Sequence, residues 1–256
     1  MRDLDCSYYP SAPIIPFGEA VHERINLEIM RGCPHTCRFC ISTVIKEPLR
    51  YCSVDKLVSL AEIVYQHTGY DEISLLSLSS GEYPWLDELL VRLNARFKSR
   101  RVGLSLPSLR IDEHLKKLPA VLNTVRKAGF TLAPEAGCVF LRQVIDKQIE
   151  DQDIFASVQA VYKQGWNLIK LYFMIGLPGE TENDIKDIVK MIQEIYKLGR
   201  RVKGHPARLN VTVSVFTPKP HTPFQWEPIA PLDEISKKQA ILKTGLRNKS
   251  IKLTEA

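Results

Sequence analysis

Six short runs rich in Val, Ile and Leu recur along the chain, at 25–30, 73–78, 102–106, 130–133, 168–175 and 209–216. Each is bounded by Gly, Pro or Ser and shows no strict apolar–polar alternation, the pattern of strands buried on both faces. Between them lie stretches of helical period. Residues 54–67 place Leu57, Val58, Leu60, Ala61 and Val64 along one side, and Pro84 opens a second stripe of Leu86, Leu89, Leu90, Leu93 and Phe97. Further helices are predicted over 111–127 and 151–164. Thr181 and Asp184 resemble a capping box before Ile185, Ile188, Val189, Ile192 and Ile195, with Gly199 as the expected stop. Connections of this length join parallel strands, since hairpin turns are far shorter. A complete eight-unit barrel needs about 250 residues for its repeats alone. Only six units fit between Arg24 and Phe216, so the expectation is α/β, an incomplete parallel (βα)6 TIM-like barrel at 24–231. Residues 1–23, with Pro10, Pro13 and Pro16, read as an extended segment, and 232–256 as a helical tail whose helix stops at Gly245.

At 256 residues, 45% hydrophobic and 25% charged, the chain has globular composition, which excludes disordered and fibrous classes. No run of eighteen apolar residues exists, and the charged, aromatic N-terminus does not read as a secretory signal. The expectation is a cytoplasmic protein without membrane contact. A net charge of +6 is spread along the chain, densest at 98–101, 200–208 and 237–252. Such stretches are solvated surface or contacts to nucleic acid.

Three of the six cysteines, Cys33, Cys37 and Cys40, fall within eight positions, while Cys6, Cys52 and Cys138 are isolated. In a reducing compartment clustered thiols more often hold a metal than form a disulfide framework. Gly32 allows a tight turn out of the first strand, Pro34 stiffens the loop, and Phe39 is placed to shield a bound group. Three thiolates can hold a four-iron cluster and leave one iron open, as a catalytic metal requires. The alternative is a structural zinc site completed by His35 or Cys52, although zinc ribbons offer two separated C-x2-C pairs. The C-x3-C-x2-C spacing, with an aromatic before the third cysteine on the loop after strand one, resembles the radical S-adenosylmethionine (SAM) superfamily. The resemblance implies a [4Fe–4S] cluster on Cys33, Cys37 and Cys40 and SAM bound at the open iron. It also implies a one-electron donor of flavodoxin or ferredoxin type.

The remaining strand ends extend the resemblance. Ser80, Gly81 and Glu82 match a Gly-Gly-Glu-like segment that binds the methionine amino group, with Glu82 as the candidate. Ser108 and Arg110 are similar to positions that contact ribose or carboxylate, and Glu135 to an acid that lines the cofactor site. Arg142 and Lys147 follow and could reach a carboxylate, but are expected to be solvated helix residues. The run Gly176-Leu-Pro-Gly-Glu-Thr181 resembles the turn whose backbone, near Ile175 and Gly176, lies against adenine. It equally reads as a plain strand-to-helix turn. The stiff segment 217–226, with its three prolines, resembles an uncharacterised subgroup of cobalamin-domain-linked radical enzymes. His221 there reads as an acid/base candidate or a packed loop residue.

Relatives in that subgroup carry a cobalamin-binding domain before the core. Here nothing precedes Met1 and no Asp-x-His-x-x-Gly occurs, so cobalamin is not expected on this polypeptide alone; the chain reads as a fragment, a split gene product or a slimmed relative, with such a domain in trans as one candidate partner. The leading expectation is an enzyme that cleaves SAM reductively to a 5′-deoxyadenosyl radical, with methyl transfer to an unassigned substrate as one outcome. The alternatives are a methylthiotransferase-like tRNA-modifying enzyme, with RNA as partner, and a non-catalytic metal-stabilised module that binds nucleic acid.

Overall fold

The computed structural model describes residues 3–18, 23–105 and 129–255. The helix predicted over 111–127 and the candidates Ser108 and Arg110 lie outside the described residues. The chain divides into two compact units. The first draws its described residues from Met1–Pro34 and Lys46–Arg110, the second from His35–Ile45 and Lys127–Ala256.

In the first unit three parallel strands run in the order β1 (Ile25–Glu28), β4 (Glu72–Leu76), β5 (Gly103–Ser105). The first apolar run does not stay in this sheet. Met30–Arg31 (β2) turns away and pairs antiparallel with Arg50–Tyr51 (β3), closing the base of the loop between them. Gly32, the next residue, has φ +106°, and a Cβ there would lie 3.0 Å from Leu49 Cα and 3.1 Å from the Lys46 carbonyl. A side chain at this position would be strained and crowded.

Helix α1 (Val54–Thr68) crosses from β3 to β4. Ser53 caps it by accepting the Lys56 N–H, and Gly69 ends it in the left-handed region at φ 67°. Its buried face is Val54, Leu57, Leu60, Ala61 and Val64. At roughly 1.5–3 kcal/mol for each large side chain removed from water, this face outweighs the tenths of a kcal/mol by which individual propensities differ. Helix α2 (Leu86–Phe97) buries the five predicted apolar residues and begins two residues after Pro84. In the N-terminal segment Leu4 is buried and Asp5 accepts the Ser53 N–H at 2.7 Å, tying that segment to the start of α1.

The second unit is a four-stranded parallel sheet in the order β6 (Phe130–Glu135), β7 (Leu168–Ile175), β8 (Arg208–Val215), β9 (Ile251–Glu255). Helices α3 (Val139–Val144), α4 (Asp151–Lys163), α5 (Glu182–Lys203) and α6 (Leu232–Gly245) make the crossovers. β7 and β8 pair in register from Leu168 with Arg208 through Ile175 with Val215.

Three readings need correction. Pro134 does not end β6; the strand continues to Glu135, with a register shift between Leu132 and Glu135. Gly199 does not stop α5, which runs on to Lys203 and is capped by Gly204 at φ 72°. Inside the helix, Gly199 is buried and a Cβ there would sit 2.7 Å from Ala207 Cβ and 2.9 Å from the Tyr162 ring, so close packing explains it. Third, Ile251–Glu255, within the expected helical tail, is a strand that joins β8 in parallel from Leu209–Ile251 to Val213–Glu255. Helix α6 itself matches the predicted one.

Candidate functional site

Parallel sheets place functional loops at the carboxyl ends of their strands. In the second unit, those ends meet the turn that carries two of the clustered cysteines. Phe39 packs on a cluster of Ala136, Leu141, Ile145, Leu177, Phe216 and Phe224. Ala136, Leu177 and Phe216 follow closely on the last residues of β6, β7 and β8.

Hydrogen bonds fix the turn from several sides. Cys40 N–H donates to the Cys37 carbonyl at 3.0 Å and Arg38 N–H to the Ile145 carbonyl at 3.0 Å. The Arg38 guanidinium donates to Val144 O at 2.9 Å and the Thr36 hydroxyl to Asp146 Oδ2 at 2.6 Å. Phe224 N–H, from the proline-rich segment after β8, donates to Arg38 O at 3.3 Å. These bonds engage the backbone and the neighbouring side chains of the turn. Cys33, Cys37 and Cys40 form no disulfide and are of intermediate exposure. A thiolate-ligated metal or iron–sulfur group suits that donor set, because the ligands need no disulfide to be reduced first.

At the end of β6, Glu135 adopts φ 68°, uncommon for a residue with a side chain. Its Oε1 lies 3.0 Å from Lys147 Nζ, with the two side chains 14% and 11% exposed. Glu135 is therefore already neutralised by a partner within its own unit. The expected solvation of Arg142 and Lys147 is overturned. Arg142 is fully buried, donating to Ile149 O at 2.8 Å and Ala136 O at 3.0 Å, and its guanidinium pairs with Asp151. These bonds tie together both ends of the α3 region, and desolvation forbids leaving such a charge unmatched. At Gly137 a Cβ would fall 2.3 Å from the Ile188 backbone nitrogen, so α5 excludes any other residue.

Beyond β7, Gly176 adopts φ +79° and its N–H donates to Glu180 Oε1 at 2.7 Å. Ile175 is buried and its carbonyl accepts the Phe216 N–H at 2.8 Å. Thr181 and Asp184 form the predicted capping box. Asp184 Oδ1 also accepts the Cys138 thiol at 3.1 Å. The ligand atoms of Cys138, Asp184 and Asp187 lie within 4.8 Å of one another, but Asp184 is committed to its cap. Burial, followed by that contact with Asp184, pushes the Cys138 thiol up.

In the first unit, the turn after β4 holds the other candidates. Ser80 and Gly81 are buried and Glu82 half-buried. The Ser80 hydroxyl shares a 2.8 Å hydrogen bond with Ser77. Beside Glu82, Tyr51, Tyr83 and Trp85 form an aromatic group with centroids 5.6–6.2 Å apart. Tyr83 donates to the Cys52 carbonyl at 2.6 Å. His221, read as a candidate, is exposed at φ 64°, its N–H bonded to Gln225 Oε1 at 3.1 Å.

Sequence reasoning missed the buried pair Glu180–Lys238, 2.8 Å apart. The signal was present: Lys238 sits between Ile235 and Leu242 on the apolar stripe of α6.

Residues 27–192 match the radical SAM superfamily. An uncharacterised protein of Methanocaldococcus jannaschii is 35% identical over 227 residues, 86% of this chain and 47% of that protein. The human threonylcarbamoyladenosine tRNA methylthiotransferase is 27% identical over 210 residues, 77% of this chain and 34% of that protein. The chain thus spans between a third and a half of these relatives' lengths. Among solved structures, the cobalamin- and [4Fe–4S]-bound radical SAM methyltransferase TsrM of Kitasatospora setae superposes with a TM-score of 0.62. Identity is 17%, covering 79% of this chain and 38% of TsrM. The cobalamin-dependent radical SAM enzyme OxsB gives 0.54 at 16% identity, covering 65% and 26%. These likenesses show the α/β fold of the partial TIM-like barrels. The superfamily consists of enzymes that work with a [4Fe–4S] cluster, SAM and a reductant, and cobalamin-linked members are among the structural neighbours. With about two thirds of its residues in the match and the three clustered cysteines on the loop after β2, this chain belongs to the radical SAM superfamily.

Proposed function

We propose that the chain is the core of an enzyme that cleaves SAM reductively, with Cys33, Cys37 and Cys40 as the protein ligands of a [4Fe–4S] cluster. The observation that carries this reading is the cysteine turn itself. It is bonded to Val144, Ile145, Asp146 and Phe224 and wedged by Phe39 against residues at three strand ends. A cluster held by Cys33, Cys37 and Cys40 would supply the one-electron reduction that splits the sulfonium C–S bond of SAM into methionine and a 5′-deoxyadenosyl radical able to take a hydrogen atom from the substrate. The protein's own part is to bind, orient and exclude water. Phe39 shields the turn. Glu82, with Ser80 and Gly81, takes the methionine amino group, and the backbone at Ile175 and Gly176 lies against adenine. Glu135, held by Lys147, shapes the cofactor site without adding net charge. The electron donor is of flavodoxin or ferredoxin type. Cobalamin, where used, comes on a separate domain, and methyl transfer is then the fate of the radical chemistry.

Anaerobic reconstitution should load about four irons and four sulfides per chain, and dithionite with SAM should release 5′-deoxyadenosine. Cys37→Ala should lose both. A loaded protein that neither binds nor cleaves SAM refutes the reading.

The tRNA-modifying alternative is favoured by an open groove of about 1050 Å³ lined by Lys197, Arg200 and Arg201, with Glu194 as the acid among them. That groove lies near the C-terminal end of α5. At 1.5 Å per residue, Arg200 is roughly 28 Å along the helix from Thr181, so the groove would anchor RNA and not present the reacting base. A steep loss of RNA affinity with added salt would support it.

A further inference from the structure

Helix α6 carries a lysine on its buried face. Ile235, Lys238 and Leu242 are the buried residues of that helix. An ammonium in such a place is stable only when paired and hydrogen-bonded. Lys238 Nζ lies 2.8 Å from Glu180 Oε1 and 2.5 Å from Glu234 Oε1. The Lys238 and Glu180 side chains are 3% and 1% exposed. The same Glu180 oxygen accepts the Gly176 N–H, whereas Oε2 has no hydrogen-bond partner. Apolar contact follows the same route: a Cβ on Gly176 would lie 3.1 Å from Ile235 Cδ1 and 3.4 Å from Ala230 Cβ. The turn after β7 is therefore shaped from the side of α6, by one carboxylate oxygen shared between a backbone donor and an ammonium.

We propose that Lys238 is a positioning residue for SAM: by holding the Glu180 carboxylate in place, it fixes the Gly176 turn in the conformation that receives adenine. This rests on the reading that the Ile175–Gly176 backbone is the adenine contact. Without Lys238, the buried carboxylate must take up a proton or swing toward water, and either change weakens its hold on Gly176. A left-handed glycine released in this way has many other conformations open to it. Lys238 acts through Glu180 and has no part in bond breaking. Removing it should therefore weaken SAM binding and leave iron loading and the turnover of saturated enzyme in place.

The test measures the Kd and KM for SAM, kcat for 5′-deoxyadenosine release, and iron content, all in reconstituted full-length protein. Lys238→Met should raise Kd and KM at least tenfold, with kcat and iron within about twofold of the parent. Glu180→Gln combined with Lys238→Met leaves no buried charge and keeps an amide oxygen for Gly176, so it should recover to within threefold of the parent Kd. A folded Lys238→Met protein with the parent's SAM affinity overturns the proposal, as does a double variant no better than the single one. If Lys238→Met does not fold, Glu180→Ala/Lys238→Met, which lacks the acceptor, is compared with Glu180→Gln/Lys238→Met. At least a tenfold weaker Kd in the alanine pair supports the proposal, and equal affinity refutes it. Failure of the parent protein itself to bind SAM would instead strike the proposed function.

Discussion

Burial separates cysteines that can serve a cofactor from one that cannot. Cys52 is 4% exposed, and desolvation, with the nearby Asp5 carboxylate, pushes its thiol up to about 12. At pH 8 only about one such thiol in ten thousand is ionised, and the thiolate is the reactive and ligating form. Cys52 is thereby unsuited to completing the zinc site weighed from the sequence. In metal-free protein, iodoacetamide at pH 8 should modify Cys33, Cys37 and Cys40 well before Cys52, as read by peptide mass spectrometry. Early labelling of Cys52 would show that its surroundings open. The cysteine spacing was fully legible in the sequence because ligand spacing is a local property. The fate of Arg142 was not. A helical arginine after a glycine looks like surface, and only the return of the chain at Ile149 and Asp151 encloses it. Arg142→Met would strand two buried carbonyls. It should destabilise the protein by about 3 kcal/mol, the scale for breaking a buried charged network, measurable as a lower urea midpoint.

Elements were read well where one face decides and poorly where packing between elements decides. The buried stripe of α2 and the capping box of α5 follow from local spacing, and the structure has them, as it has that of α1 with Val54 buried where Val58 was expected. Gly199 misled because glycine is usually a helix stop, whereas here it makes room for Ala207 and Tyr162. Replacing it by alanine sets two effects against each other. Helix propensity favours alanine by about 1 kcal/mol, but overpacking costs about 1–3 kcal/mol. The nearest atom is a Cβ fixed to the backbone and cannot swing aside. Gly199→Ala should therefore be net destabilising in urea melts, and a stabilised variant would show that the close approach is soft. Strand β9 was missed because its lysine suggested a charged tail. Its signal was the alternation of Ile251 and Leu253, with Ile251 as its buried residue. An edge strand buries little and tolerates charge.

The capping box also predicts a pH response. Burial alone would raise Asp184, yet the Thr181 hydroxyl and N–H, with Cys138, hold it below its ordinary 3.8. A depressed carboxyl contributes stability above its unfolded pKa and loses it as pH falls through the folded one. Asp184→Asn should thus lower stability by about 1 kcal/mol at neutral pH, the usual weight of a cap. The difference from the parent should shrink and vanish as pH falls through the lowered folded pKa, where the parent's own aspartate takes up its proton. A gap that persists at that pH would assign the effect to something other than the carboxylate.

At the scale of the whole molecule, the alternation of strands and helices sufficed to fix the α/β class and the parallel sheets. It could not foresee β2 leaving the first sheet or the last strand extending the second, since both depend on pairing between distant segments. On the proposed function, what links the parts of the molecule is SAM binding. A ligand bound by the native state alone stabilises it by RT ln(1 + [L]/Kd), about 2.7 kcal/mol at a hundred times Kd. For a chain of this size, that is a rise in Tm of roughly 5–10 °C. Loaded, anaerobic protein should show this rise with SAM. The Cys37→Ala/Cys40→Ala protein should show much less, because on the proposed reading the open iron of the cluster would bind SAM. An equal rise in both proteins would mean that SAM is held without iron, and chelation would be lost from the account while adenine binding at Gly176 survived. No rise in either would remove SAM as a ligand of this chain.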